Sequence, residues 1–342
     1  MPRYIGFDTT AERDDALRTA VLLINLGTPA EPTADAVGEY LAEFLSDPRV
    51  VEFPRWLWWP VLHGYVLRTR PRRSAEAYAK IWRDDGSPLL VFSEQLALAV
   101  GAEISCRTGG KIATALAMTY GEPSVRTVVT DLMRSGVRRI LALPLFPQYS
   151  ATSTGAALDA VTRAMQSLRW PPELRSVNDY HDDAGYLAAL VGCVQAHWAQ
   201  HGRGGKLLLS YHGIPEKYAA AGDPYPEQCR ETARRLGDAL GIDDDDLLVT
   251  FQSRLGRQPW LRPYTDEIVE QLARQDVETL DVLCPGFAVD CLETLEEIAL
   301  RYRATFLTSG GKQFRYIPAL NAGSAHATAL AEIAMHGLAG WV

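Results

Sequence analysis

At 342 residues the chain exceeds one ordinary domain and suits two, each with its own core. Hydrophobic residues make up 47% and charged residues 22%, the balance of a folded protein, which excludes low-complexity and disordered classes. A formal net charge of -8 argues against general nucleic-acid binding, because such proteins neutralise phosphates with basic surfaces.

The five cysteines (Cys106, Cys193, Cys229, Cys284, Cys291) are odd in number and scattered without a C-x-x-C pair. Neither a disulfide framework nor a zinc motif follows, as suits a reducing cytosol. Residues 1–18 are polar and carry both charge signs, so they lack the apolar core of a signal peptide. No run is expected to reach the roughly 18 apolar residues of a spanning helix.

Residues 19–29 form a continuous apolar run closed by Gly27 and Pro29, the pattern of a parallel strand covered on both faces. The spacing of Val37, Tyr40, Leu41, Phe44 and Leu45 predicts a helix over 33–45, with Thr33 as its cap. Residues 53–71 hold Trp56, Trp58 and Trp59 within four positions, followed by Arg68, Arg70, Arg72 and Arg73. This stretch reads either as a core-facing aromatic segment or as an apolar lip beside a pocket, since Trp flanked by Arg suits an interface.

Residues 111–121 predict a second strand ending in an exposed Tyr120. Pro123 then opens a helix that Gly136 ends. A third strand over 139–146 runs into a hydroxyl-rich turn, 147–155, which opens a helix over 156–168. Such a start offers free N–H groups and hydroxyls to an anion, although ordinary capping by Ser or Thr uses the same residues. Trp170-Pro171-Pro172 reads as a domain boundary.

The second half repeats the rhythm: a helix over 184–201, a strand over 206–211, a helix over 226–240 ended by Gly241, and strands over 247–254, 279–284 and 314–321. Helices are predicted at 264–274, 290–303 and 325–338. The four aspartates of 243–246 read as a solvated loop, because no alternating ligand pattern accompanies them. Alternating strands and helices imply an α/β protein with a parallel sheet in each domain. The expected domains are 19–170, with the lip at 53–73, and 171–324. A C-terminal helix in 325–342 is expected to pack back on the first.

No G-x-G-x-x-G, P-loop or G-x-S-x-G occurs at a strand–helix junction, which weakens nucleotide and hydrolase readings. What remains is a set of polar strand exits: Tyr120, residues 149–153, His212, residues 252–254, and Asp290 with Glu293 and Glu297. Glu293 and Glu297 are four apart, so an α-helix would stack their carboxylates on one face. Glu296 would lie about 100° from Glu297 and be solvated. His212 closes an apolar strand, where a packed imidazole and a working one are equally compatible. Gly213 and Pro215 fix a tight turn after it, and imidazole is the side chain best suited to take a proton or a transition metal near neutral pH.

Five segments carry a resemblance to a known family: Asn25-Leu26-Gly27-Thr28-Pro29, residues 146–155 (FPQYSATSTG), 210–215 (SYHGIP), 250–256 (TFQSRLG) and 285–297 (PGFAVDCLETLEE). In that order they resemble the signature segments of the ferrochelatases, and they span nearly the whole chain. The resemblance implies two Rossmann-like domains (the chelatase fold) with an active-site cleft between them. It also implies insertion of Fe(II) into protoporphyrin IX to give protohaem, with two protons released. His212 matches the family's metal-site histidine, Glu293 its facing glutamate, and Glu297 the next carboxylate along the same helix. How proton removal and metal delivery divide between His212 and Glu293 stays open at this point.

Porphyrin contacts are implied at Leu26, Tyr120, Phe146, Tyr149, Ser150, Thr152, Ser210, Ser253 and Asp290. Leu26 stands where some relatives carry Met and others, acting on coproporphyrin III, a Tyr, which favours protoporphyrin. Cys291 replaces a histidine of animal members, and Thr119 an arginine. No cysteine follows Cys291, so no iron–sulfur cluster and no resident cofactor are expected. The Trp-rich stretch corresponds to the family's active-site lip. The expected location is cytoplasmic, with peripheral contact on the inner face of a membrane through 53–71. The alternatives are a coproporphyrin or cobalt chelatase of the same fold, or a haem or metal carrier without turnover.

Overall fold

The apolar run near the N-terminus becomes β1 (Arg18–Gly27), in which Ala20 to Ile24 are wholly shielded from solvent. A strand covered on both faces must lie inside a sheet, and β1 does. In the computed structural model, which describes residues 4–7, 18–254, 256 and 258–342, it pairs in parallel with β2 (Ile112–Tyr120) and β3 (Val137–Pro144). β4 (Glu173–Ser176) adds to β3, giving the order β2-β1-β3-β4. Most of residues 1–18, read above as lacking a signal-peptide core, and Leu255 of the fourth signature segment lie outside the described residues.

The first unit takes in Met1–Leu145, Ala151–Asp179 and Ala327–Val342. It runs on past Pro171-Pro172 because β4 belongs to its sheet. β4 carries no apolar run and is largely exposed, as a short edge strand commonly is, which is why the hydropathy pattern did not reveal it.

The helices of this unit begin with α1 (Ala34–Ser46), whose Thr33 cap accepts from the Ala36 N–H at 3.4 Å. The Trp-rich stretch is helical: α2 (Arg55–Val61), a π-helical turn π1 (Leu62–Val66) and α3 (Leu67–Ala79). The three tryptophans divide. The Trp58 indole donates to the Leu45 carbonyl at 2.7 Å and anchors α2 to the end of α1, whereas Trp56 and Trp59 are 76% and 53% exposed. One ring thus serves as an anchor, two lie at the surface, and α2 buries none of its residues.

Next comes α4 (Pro88–Thr108), a helix long and apolar enough to cross a membrane by length and composition. That corrects the expectation that no run reaches spanning length. Here α4 packs on β2 and β1 and buries Leu89, Val91, Leu96, Val100 and Ile104, while Leu98 is exposed. α5 (Val125–Arg134) is capped by Ser124, whose hydroxyl accepts from the Thr127 N–H at 3.3 Å. A second π-helical turn, π2 (Ala151–Gly155), leads into α6 (Ala156–Gln166).

Tyr120 corrects another expectation. It is 2% exposed, packed with Tyr40 of α1 and Ala156 of α6 and edge-on to Phe44. The close approach of β1 makes this possible: Gly27, at φ +110°, sits opposite Tyr120, and a Cβ there would stand 1.8 Å from the Tyr120 carbonyl oxygen. Only glycine fits.

The second unit, Phe146–Ser150 with Tyr180–His326, repeats the topology. Its strands β5 (Lys206–His212), β6 (Leu247–Gln252), β7 (Thr279–Leu283) and β8 (Gln313–Ile317) lie in the order β6-β5-β7-β8, all parallel. In both sheets the first strand therefore lies between the second and the third. Helices α7 (Ala184–His201), α8 (Glu216–Ala220), α9 (Tyr225–Leu240) and α10 (Thr265–Arg274) connect the strands. After β7 the chain forms a ten-residue π-helix, π3 (Glu293–Tyr302), and then α11 (Arg303–Thr308). Leu208, Leu280 and Val282 of the sheet meet Val269 and Leu272 of α10, Ile298 of π3 and Phe306 of α11 in one apolar cluster. Each such buried side chain contributes about 1.5–3 kcal/mol. The last helix is α12 (Ser324–Gly337).

Candidate active site

Open parallel sheets collect ligands outside the carboxyl ends of their strands, where the strand order reverses. In the second sheet that point is the pair β5 and β7, with β6 on the other flank of β5. His212 is the last residue of β5, and the segment leaving β7 carries Asp290 and Glu293.

His212 is half-buried. Its Nδ1 lies 2.8 Å from the Gly213 carbonyl oxygen. A carbonyl only accepts, so Nδ1 donates, and in the neutral imidazole this leaves the lone pair on Nε2. The turn that allows this is tight: the Gly213 N–H donates to the Gln252 carbonyl at 2.7 Å, and a Cβ on Gly213 would stand 2.9 Å from that oxygen.

Glu293 opens π3. The helix predicted over 290–303 is present, but its turns are wide, and this changes where the acids go. Glu297, 9% exposed, accepts from Ser253 Oγ at 2.5 Å and from the Tyr302 hydroxyl, five residues on, at 2.6 Å. Burial pushes the Tyr302 hydroxyl pKa up, and the Glu297 charge adds to that shift, so the phenol remains a donor. Glu296 is 4% exposed and paired with Arg301, again five residues on. The expectation of a solvated Glu296 rested on the 100° step of an α-helix and fails, since the residue is buried and its charge is met by Arg301.

Residue 252 ties these parts together. Gln252 pairs with His212 across β5 and β6. It is 2% exposed, its Oε1 accepts from Ser210 Oγ at 2.7 Å, and its Nε2 donates to the Glu293 carbonyl at 2.9 Å. Ser210 is wholly buried and lies 2.9 Å from the Thr265 hydroxyl, linking β5 to the start of α10. Ser253, next to Gln252, adopts φ +65° and reaches Glu297 from that left-handed conformation.

Asp290 is 4% exposed. Thr294 Oγ1, the Tyr316 hydroxyl and the Ala319 N–H donate to Oδ1, and Asn321 Nδ2 donates to Oδ2. Its carboxylate thus holds the start of π3 to the end of β8. Cys291 is buried beside Glu293, and burial, reinforced by the Glu293 charge, pushes its thiol pKa up. A thiol is a poorer metal ligand than a thiolate.

The remaining predicted contacts divide between the units. Leu26, half-buried, packs with Tyr40, Tyr120 and Ala156 in the first, and Thr152 lies half-buried in π2. Phe146 and Tyr149 are half-buried in the second, where the Tyr149 N–H donates to Gln228 Oε1 at 2.6 Å. Ser150 is buried and donates to Asp223 Oδ2 at 2.9 Å. That carboxylate makes the turn a poor seat for an anion. Gln252 was noted in the sequence only as a polar strand exit, without a role, and Tyr302 was not singled out. The TFQS segment held a signal for the first, and the spacing of five from Glu297 to Tyr302 held one for the second.

The sequence profile of the family described as Ferrochelatase matches residues 18–338. This chain belongs to the ferrochelatase family. It is 49% identical to a ferrochelatase of Nitrosococcus oceani over 328 residues, covering 96% of this chain and 89% of the relative. Against a ferrochelatase of Methylibium petroleiphilum it is 51% identical over 326 residues, covering 95% and 90%. Among solved structures it is similar to SirB from Bacillus subtilis with Fe3+ (TM-score 0.52, 11% identity, 94% of this chain and 96% of that one). A second is CbiX, the terminal enzyme of sirohaem biosynthesis in denitrifying bacteria (TM-score 0.52, 15% identity, 93% and 99%). At these identities the likeness concerns fold alone: two parallel four-stranded sheets flanked by helices, as in chelatases.

Proposed function

We propose that this ferrochelatase-family member inserts Fe(II) into protoporphyrin IX, forming protohaem and releasing two protons. The relatives' names favour iron chelation over cobalt insertion or passive haem carriage. The observation that carries the proposal for the site is the fixed tautomer of His212, whose Nε2 lone pair stands at the strand-order reversal beside the residue that holds Glu293.

The reaction needs such a pair. Two pyrrole protons must leave and a cation must enter, so a base and a metal escort are both required. Neutral imidazole suits Fe(II), and a carboxylate compensates the ion as its water is stripped. His212 Nε2 and Glu293 share these duties. Glu297, held by Ser253 and Tyr302, adds a fixed negative charge along the same helix. Iron enters as substrate, and no iron–sulfur cluster or other resident cofactor is required.

Leu26 supports protoporphyrin over coproporphyrin. Its apolar, half-buried setting among Tyr40 and Tyr120 suits a vinyl group, whereas an unpaired propionate there would be costly to desolvate. The exposed Trp56 and Trp59, with Tyr65 at 68% exposure and the arginines of α3, support cytoplasmic residence with peripheral contact on the inner face of the membrane.

The test is anaerobic incubation of the purified protein with Fe(II) and protoporphyrin IX, following the haem spectrum. His212→Ala should still bind porphyrin while insertion falls by about 100-fold or more. Absence of haem formation by the wild type would end the proposal, and a His212→Ala variant with wild-type kcat would remove His212 from it.

A further inference from the structure

We infer that Gln252 is the positioning residue that sets Glu293 against His212. The inference rests on the chelatase reading for its catalytic readout, while its structural basis stands on hydrogen bonds alone.

One side chain and its own carbonyl join four groups, one of them the Cys284 thiol, which donates to Oε1 at 3.8 Å. The carbonyl accepts from Gly213, the residue after His212, at 2.7 Å, and so fixes the turn in which His212 Nδ1 meets the Gly213 carbonyl oxygen. Oε1 accepts from Ser210, two residues before His212, at 2.7 Å. Nε2 donates to the Glu293 carbonyl at 2.9 Å, the first residue of π3. A glutamine amide carries an acceptor and a donor on one side chain and so serves both contacts at once. Gln252 is also 2% exposed, so water cannot replace either partner.

The helix end makes the contact matter. Glu293 is the first residue of π3, and without Gln252 its carbonyl loses the bond that ties π3 to the β5–β6 pair. Ser253, the next residue, holds Glu297 one turn on. The exit of β6 therefore grips π3 at two points, and the grip at Glu293 is the one that reaches back to His212. Displacement of a reacting group by about 1 Å is enough to cost on the order of 100-fold in rate.

The test compares Gln252→Met, similar in length without the amide, with Ser210→Ala and the double variant. Gln252→Met should lower kcat for iron insertion about 10- to 100-fold, with porphyrin affinity within about 2-fold of wild type. Ser210→Ala, which removes one arm, should cost less. The double variant should be no slower than Gln252→Met, because both changes break one network. Amide hydrogen exchange supplies a readout independent of turnover: in Gln252→Met, the peptide covering 291–297 should exchange faster than in wild type while the β5 core stays protected.

A wild-type kcat in Gln252→Met, additive losses in the double variant, or unchanged exchange at 291–297 would each overturn the inference. Absence of haem formation by the wild type would defeat the chelatase reading instead, and the exchange result would still decide whether Gln252 holds π3.

Discussion

His326 makes the stability of this protein sensitive to mild acid. The residue is 1% exposed, and its Nδ1 lies 2.7 Å from the Asn321 carbonyl oxygen, so it donates there as a neutral imidazole. Burial lowers its pKa from 6.5 to about 4, an effect only partly offset by the bond to Asn321. In the unfolded chain the same group titrates near 6.5. Between those values the unfolded state binds a proton that the folded state refuses, so stability is full above about pH 6.5 and declines as pH falls toward 4. The decline reaches about 3 kcal/mol at pH 4, from about 1.4 kcal/mol per unit over the interval, and stops below it, where both states are protonated.

Asn321 is also the residue that grips Asp290, accepting from its N–H and donating to its carboxylate at 2.8 Å each, so the loss falls close to the start of π3. Urea unfolding of wild type and His326→Leu from pH 7.5 to 4.5 isolates the term, since carboxylate titrations common to both cancel. The wild type should lose about 2 kcal/mol more than the variant by pH 5. Equal losses in the two proteins would refute the argument.

Two further outcomes follow from the same geometry. Tyr302→Phe leaves Glu297 Oε1 without its 2.6 Å donor and should destabilise the protein by about 1–3 kcal/mol in denaturant unfolding, with a reduced kcat if Glu297 works in place. Trp56→Ser with Trp59→Ser should abolish flotation with anionic lipid vesicles while leaving the melting temperature unchanged, because both rings face solvent. Retained flotation would remove the lip as a membrane contact.

How far the fold could be read from the sequence depended on burial. β1 and β5 declared themselves because strands covered on both faces must be apolar throughout. β4 did not, being four residues at an exposed edge. α4 escaped because its apolar residues show no strong one-sided pattern, although it is the longest helix described. For the site, His212 stood out as an imidazole closing an apolar run, and Glu293 as an acid after the next strand exit. The partners that fix them did not stand out. Gln252 reaches Glu293 across 41 positions, and no local rule foretells such a bond. Tyr120 was expected exposed because it ends a strand, yet the missing Cβ of Gly27 lets the backbones close over it.

The π-helix leaves a trace in the chain itself. In an α-helix, side chains that meet are three or four apart; in π3 Glu296 meets Arg301 and Glu297 meets Tyr302, each five apart. Loss of one residue between 298 and 300 would bring each pair to α spacing and restore the ordinary ladder, but it would also turn every residue after the deletion relative to Glu293. A stretch built this way tolerates substitution far better than any change in length.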